Sequence, residues 1–432
     1  MPNIPVAVVP GHTNVQTKEE LLRNILEVTL DDVIENLTLA PEAARKQEEP
    51  SARDIVFKGS FDEVNEFFCE KEWSDGLPVV PPTRKKIESF LNFTDRDPNE
   101  SLGTLLPDSR SATIWSVALN GAMAGCRPEY MPLLIAMIEA MAEEAYGVEH
   151  SGNTPGGETL IILNGPMIKE LGFNYTQGVM RDGFLPNTSL GRFWRLYLRN
   201  VAGFVLHKND KATFGNTWRV VIAENEDFLA QIGWPSLGVD MGHAAGQNAV
   251  TIGRYTGGNV VVSVSGDARE QMLPYLADAV TRQISWQLMF TVGQGMGKMR
   301  PLVLLSPILV ESMAKVGISK AEFRQYLFDH ARIPASRFQQ ILRDWNLKPT
   351  WDLAALAKAG KIPQVFNESD DPDRLVPLVW RPDDYMVAVT GDPLRNSAYA
   401  FAHNGLRGYP VSKAVNFSAD WKQRFSALRG KV

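Results

Sequence analysis

The side chains best able to do chemistry fall into a few short stretches, and each carries its own chemical expectation. In MAGCRPEY, residues 123–130, Cys126 stands beside Arg127 at a turn that leads into a helix. A neighbouring cation and a helix N-terminus both stabilise thiolate, so Cys126 is the candidate nucleophile. A small packed thiol is the plain alternative. Cys69, within FFCEKEW on an amphipathic helix, reads as packing alone. In SLGRFWRLYLRN, Arg192, Arg195 and Arg199 fall at i, i+3 and i+7 and so share one helical face. Phe193, Trp194, Leu196, Tyr197 and Leu198 cover most of the remaining circumference. The spacing predicts a largely buried helix whose guanidinium groups need anionic partners, either Glu224 and Glu226 or a substrate carboxylate. A solvated arginine face is the competing reading.

A second set of candidates follows the apolar runs. In open α/β sheets ligands lie beyond the carboxyl ends of the strands. This selects Asn164 and Gly165 after TLIIL, Glu224, Asn225 and Glu226 after RVVIA, Ser306 after LVLL, and Gly391, Asp392 and Ser397 after MVAVT. Glu224 or Glu226 would serve as acid or base, Asn164 and Asn225 would orient a ligand, and Arg127, Asp392 and Ser397 would add substrate contacts. Turns and caps are the structural alternative for each of them. His243, in the glycine-rich DMGHAAGQN, is a further acid or base candidate. WSDGLPVVPPT, residues 73–83, reads as a rigid packed crossing whose prolines fix where Trp73 and Asp75 point, a site wall rather than a hinge.

Other signals fail. GQGMGK at 293–298 resembles a phosphate loop, but Val292 takes the first glycine position, Met299 replaces Ser or Thr, and a strand follows where a helix is required. No GxGxxG opens a helix after a strand, and no GxSxG elbow is present. His12, His150, His207, His243, His330 and His403 are scattered without metal-ligand spacing. No nucleotide or metal motif is found, so the cofactor is left unknown.

These residues need elements to hold them. TKEELLRNILEVTLDDVIENL has apolar residues at helical spacing, and the polar APEAARKQEEPSARD after it reads as a linker. Residues 1–55 are thus an arm or oligomerisation element. From Phe61 an amphipathic helix runs into WSDGLPVVPPT, and Thr83 is the expected N-cap of RKKIESFL. Residues 114–147 read as helix, turn, helix, the second apolar almost all round. ETLIILNGPMIKELG and RPLVLLSPILVESMAKVG share a strand, proline, helix, glycine order that suggests an internal duplication. Further strands are expected at WRVVIAENE, NAVTIGR, NVVVSVSG and DYMVAVTGD. The expected fold is α/β, a mixed or parallel sheet flanked by helices, with a first lobe over 56–275 carrying a helical insertion and a second over 276–432.

The bulk numbers fit a globular enzyme. The 432 residues are 44% hydrophobic and 22% charged, with 44 basic against 50 acidic residues and a net charge of −6. No broad basic surface points to nucleic acid or an anionic membrane, which leaves a small molecule as the expected partner. The apolar runs are shorter than the roughly 18–20 residues that span a bilayer. MPNIPVAVVPGHTN lacks the basic start and long apolar core of an export signal, so a cytoplasmic protein is expected. Two cysteines exclude a disulfide framework.

At WSDGLPVVPPT, MAGCRPEY, ILNGPM, GRFWRLYLRNVAG and AENE the chain resembles a widespread, largely uncharacterised bacterial family, over about Phe61 to Val411. Its members occur near small proteins with a UGSC motif, in which selenocysteine or cysteine is used, and near catabolic genes. The resemblance implies an enzyme or enzyme subunit of small-molecule metabolism linked to thiol or selenol redox chemistry, reminiscent of glycine and betaine reductases. The arm before residue 50 and FNYTQGVMRDGFLPNTS diverge from that pattern, and the second of these is a stretch expected to set substrate choice.

Two functions remain open from sequence. The first is an enzyme that cleaves a carbon–heteroatom bond of a small polar or anionic substrate, by lyase or hydrolase chemistry with a possible Cys126 thiolate. The second is a subunit of a thiol- or selenol-dependent reductase, whose arm and Trp73–Thr83 segment dock a small redox protein. A homo-oligomer is expected in either case.

Overall fold

The structure, a computed structural model, describes residues 6–11, 15–38, 50–345, 351–405 and 407–430. The chain forms two compact units, one ending at Lys58 and one running from Gly59. In the first, Thr17 and Glu20 form a capping box for the helix Lys18–Asn24, which continues through a π-helical turn, Ile25–Thr29, into Leu30–Thr38. Leu22, Leu26, Ile34 and Leu37 on it are exposed. His12 and most of the expected linker, residues 40–49, lie outside the described residues. Among the described residues no helix is long and apolar enough to cross a membrane.

The second unit opens with the helix Phe61–Glu70, capped by Ser60, and the helix Arg84–Leu91, capped by the Thr83 hydroxyl. The crossing between them is packed. Trp73 meets Phe67 edge-on at 5.7 Å, and the Val79 amide donates to Asn65 Oδ1 at 2.7 Å.

Eleven strands are described: β1 Ser101–Leu105, β2 Arg110–Thr113, β3 Glu158–Asn164, β4 Ile222–Ala223, β5 Ala249–Val262, β6 Leu302–Leu305, β7 Arg332–Pro334, β8 Leu375–Pro377, β9 Met386–Val389, β10 Ser397–His403 and β11 Val411–Ala414. β1 pairs with β2 and β7 with β8, while the other seven form one mixed sheet in the order β4-β3-β5-β10-β6-β9, with β11 beside β5. Strands from 56–275 and from 276–432 are thus joined in one sheet. β3 runs parallel to β4 and β6 parallel to β9, with the antiparallel pair β5 and β10 between them. The two strand–proline–helix units, β3 with Met167–Glu170 and β6 with Pro307–Lys315, therefore hold equivalent places in two halves of one sheet.

The sheet is curled as a half-barrel, and the run of apolar residues in its strands follows from burial on both faces. Leu160, Ile162, Ile222, Tyr255, Leu302, Leu304, Met386, Ala388 and Phe401 fill the concave face. On the convex face Ile161, Leu163 and Val250 belong to a core shared with the buried helix Met131–Met141, whereas Val303, Leu305 and Val387 belong to a second core with the helices Leu273–Ile284 and Lys320–His330. Each large aliphatic side chain so buried contributes roughly 1.5–3 kcal/mol. The edges β4 and β9 meet at their carboxyl ends, where the Asn225 amide donates to the Val389 carbonyl at 2.8 Å.

NAVTIGR and NVVVSVSG, expected as separate strands, form the single fourteen-residue β5. Gly258 does not break it. A Cβ there would lie 2.4 Å from the Tyr399 ring and 2.6 Å from the Phe401 ring, so the glycine makes room for the two stacked aromatics of β10.

His403, at the end of β10, is fully buried beside Tyr255. Burial, with Arg300 and Arg254 nearby, depresses its imidazole from the usual 6.5 to about 4. Because the unfolded chain binds the proton first, stability is expected to fall as pH drops from about 6.5 towards 4, by about 3 kcal/mol from this residue. Denaturant midpoints across that range should show the loss in wild type and a shallower fall in His403→Gln.

Candidate functional site

Side chains alternate along a strand, so Leu160, Ile162 and Asn164 of β3 share the concave face, as do Ile222 and the Glu224 that follows β4. The apolar floor thus ends in a polar layer at the strand ends. Glu224 is 1% exposed and accepts three hydrogen bonds, from Asn164 Nδ2 at 2.7 Å, the Leu237 amide at 2.7 Å and the Val389 amide at 3.0 Å. The same Asn164 Nδ2 donates to Glu226 at 3.0 Å, and the Gly165 amide donates to the other Glu226 oxygen at 2.8 Å. One amide therefore bridges two carboxylates. Asn164 Oδ1 is buried and has no hydrogen-bond partner among the described residues. Gly165 has φ +97°, and a Cβ on it would meet Asn248 Oδ1 at 2.5 Å, so only glycine lets the chain turn here.

Behind this layer stands a buried charge network. Lys320, on the helix Lys320–His330, is 1% exposed and reaches Asp240 at 2.6 Å and the Pro235 carbonyl at 2.9 Å. Arg324, one turn on, holds Asp240 through two bonds and the Tyr385 carbonyl at 2.9 Å. Burial raises the Glu224 carboxyl and Lys320 opposes the shift; burial likewise lowers the Lys320 ammonium, with Glu224 and Asp240 opposing.

The mouth is covered by the segment 173–184. Its Tyr175 carbonyl accepts from Thr390 Oγ1 and the Gly391 amide, both at 3.2 Å, and Val179 and Met180 lie on the concave cluster beside Met241. His243 joins the same rim. Its Nε2 is 2.7 Å from Ser412 Oγ, which is 2.9 Å from Thr251 Oγ1, and Thr251 lies opposite Ile162 on the concave face. Two surface clefts, of about 480 and 530 Å³, lie elsewhere, one along Asn259–Val264 and one between Ser89–Asp95 and the C-terminal helix.

The structure thus gathers Asn164, Gly165, Glu224, Asn225 and Glu226 at one place, with His243 on the rim. Asn225 uses its side chain to cap the helix Glu226–Ile232, and Asp392 binds the Leu394 amide in a local turn, so both do structural work. The Ser397 amide pairs with Ser306 Oγ at 3.2 Å where β10 and β6 meet.

The arginines do not pair with Glu224 or Glu226. Arg192 grips Asp75 in a two-point contact at 2.8 and 3.1 Å, with Arg219 on the same carboxylate at 3.2 Å, and also binds the Leu77 and Pro78 carbonyls. Arg195 faces Glu158 and Asp210 at 3.3 and 3.4 Å, and Arg199 binds the Glu72 carbonyl at 3.0 Å. Asn200 holds the Trp73 carbonyl at 3.1 Å. Arg192 and Asn200 therefore clamp WSDGLPVVPPT in place and Arg199 holds Glu72 just before it, whereas Arg195 serves a separate pair of buried acids.

The thiolate expectation for Cys126 fails. The thiol is 4% exposed, and burial pushes it up to about 12 despite the Ser189 hydroxyl and Arg192 nearby. Arg127, which was expected to activate it, is exposed at the start of the 3-10 turn Pro128–Tyr130. Iodoacetamide is accordingly expected to label exposed Cys69 while native Cys126 reacts at least about a hundred times more slowly, becoming reactive only on unfolding. Mass spectrometry of timed digests reads both sites.

Lys320, Asp240, Arg324 and Ser412 were not legible from sequence. SKAEFRQY advertises only a capping box, which Ser319 and Glu322 do form, and nothing local marks its lysine as buried. Comparison with known protein families, curated proteins and solved structures finds no match for this chain.

Proposed function

We propose that the chain is an enzyme of small-molecule metabolism that cleaves a carbon–heteroatom bond of a small polar or anionic substrate by carboxylate acid–base chemistry at the ends of β3 and β4. The observation that carries this reading is the bridged pair, one Asn164 amide shared by buried Glu224 and half-buried Glu226. Two carboxyls in unequal environments can take different roles. Glu226, the more accessible, takes the proton, and Glu224, which accepts three donated hydrogen bonds beside the buried Lys320, stays charged and holds Asn164 in place. The unpartnered Asn164 Oδ1 suits a substrate N–H or O–H donor. In this reading the segment 173–184 must open to admit substrate.

The test is a mass-spectrometric screen of hydroxy acids, amino acids and amides for turnover, followed by Asn164→Ala and Glu226→Gln on any substrate found. Full activity in both variants would remove the reading. Burial of Cys126 bears on the alternative, a subunit of a thiol- or selenol-dependent reductase: the reacting sulfur or selenium would then belong to the partner protein.

A further inference from the structure

β5 is longer than its neighbours can cover. β3 pairs with it only as far as Tyr255, and from there to Val262 its other edge is taken by β10. Among the described residues no strand pairs with the β3-side edge of residues 257–262. Most proteins guard such an edge with lysine, proline or a bulge. Here the stretch 256–264, TGGNVVVSV, has neither charge nor proline, and Val260 and Val262 are 49% and 63% exposed.

Beside that edge lies a shelf. A cleft of about 480 Å³ runs between Asn259–Val264 and one face of the helix Leu273–Ile284, formed by Tyr275, Asp278, Ala279 and Arg282. Tyr275 is 61% exposed. An added strand would take its main-chain hydrogen bonds from the β5 edge and rest its side chains on this helix, as in β-strand addition.

We infer that residues 257–262 are an interaction surface for a second copy of this chain, which lays the same stretch antiparallel against them about a two-fold axis at Val261, so that Val260 faces the partner's Val262 and the two sheets join. Charge selects this occupant. Asp278 and Arg282 already pair with each other at 2.9 Å, so the shelf is neutral and offers nothing to steer a charged peptide. A two-fold contact instead sets valine against valine, a favourable cross-strand pairing, and each copy's strand lies on the other's shelf.

The test uses the full chain. Sedimentation velocity at about 20 µM should show a species of twice the 48.0 kDa chain mass, and amides 257–262 should exchange more slowly with deuterium as concentration rises through the dimer dissociation constant. Val260→Lys with Val262→Lys, which sets like charges against each other, should raise that constant at least about tenfold with an unchanged circular dichroism spectrum. A monomer at every concentration overturns the inference, as does exchange at 257–262 that ignores concentration, or a folded lysine variant that dimerises as well as wild type.

Discussion

Glu226→Gln is expected to lower kcat by roughly 10²–10⁴, the range associated with losing a positioned acid or base. The substitution keeps the shape of the side chain, and at a half-buried position on a helix N-terminal turn its effect on folding should stay within about 1 kcal/mol. Two bonds converge on Glu226, from the Gly165 amide and from Asn164 Nδ2, and glutamine offers only one accepting oxygen. Asn164 stays fixed by its bond to Glu224, and the donor left over faces a half-buried position where water can accept it, so the base is removed at little structural cost. The loss should therefore appear in kcat with KM little changed. Glu224→Gln should act differently. Glu224 holds Asn164 through an accepted hydrogen bond without being the base, so the variant should disturb the orientation of Asn164 and appear mainly as a raised KM. Asp227→Asn, an exposed neighbour paired with Lys169, serves as the control that leaves kcat alone. Equal kcat in wild type and Glu226→Gln would sink the assignment of the base.

Lys320→Met is expected to cost about 3–5 kcal/mol of folding stability, seen as a lower denaturant midpoint at constant m-value. Methionine matches the length of the lysine stem, so the cost is electrostatic rather than a cavity. What it removes is the cation between Asp240, at 2.6 Å, and the buried Glu224. Arg324 still neutralises Asp240, which leaves Glu224 as the uncompensated charge. Adding Glu224→Gln to the variant should then recover a substantial part of the loss, because a neutral amide asks for no counter-charge. The non-additive term of that double-mutant cycle measures the coupling directly. A Lys320→Met variant within about 1 kcal/mol of wild type, or a second substitution that recovers nothing, contradicts the network.

Much of the positioning framework was legible because its causes are local. Thr83 and Ser319 cap the helices assigned to them, since a hydroxyl before a helical run accepts a nearby amide whatever the rest of the chain does. The buried runs TLIIL, LVLL and MVAV are strands, and the polar residues after the first two strand runs of the first half, Asn164, Glu224 and Glu226, do meet. The assignments that failed are those that needed a partner. Cys126 has the sequence neighbours of a reactive thiol, but reactivity depends on solvent, and packing against the helix that carries Ser189 removes it. Two of the three arginines, Arg192 and Arg195, have anionic partners, yet the identity of those partners, Asp75, Glu158 and Asp210, depends on which segments lie across the helix.

The sequence by itself determined an α/β chain, its element types, the repeated strand–proline–helix unit and the strand-end position of the acids, because periodicity, capping and turn chemistry act over a few residues. Only the tertiary structure decided that the two repeats share one curled sheet, that Asn164 bridges two carboxylates, and that Lys320 is buried against them. Those facts join residues as far apart as Asn164 and Glu226, or Glu224 and Val389, and long-range burial and strand pairing leave no mark in any local stretch of the chain.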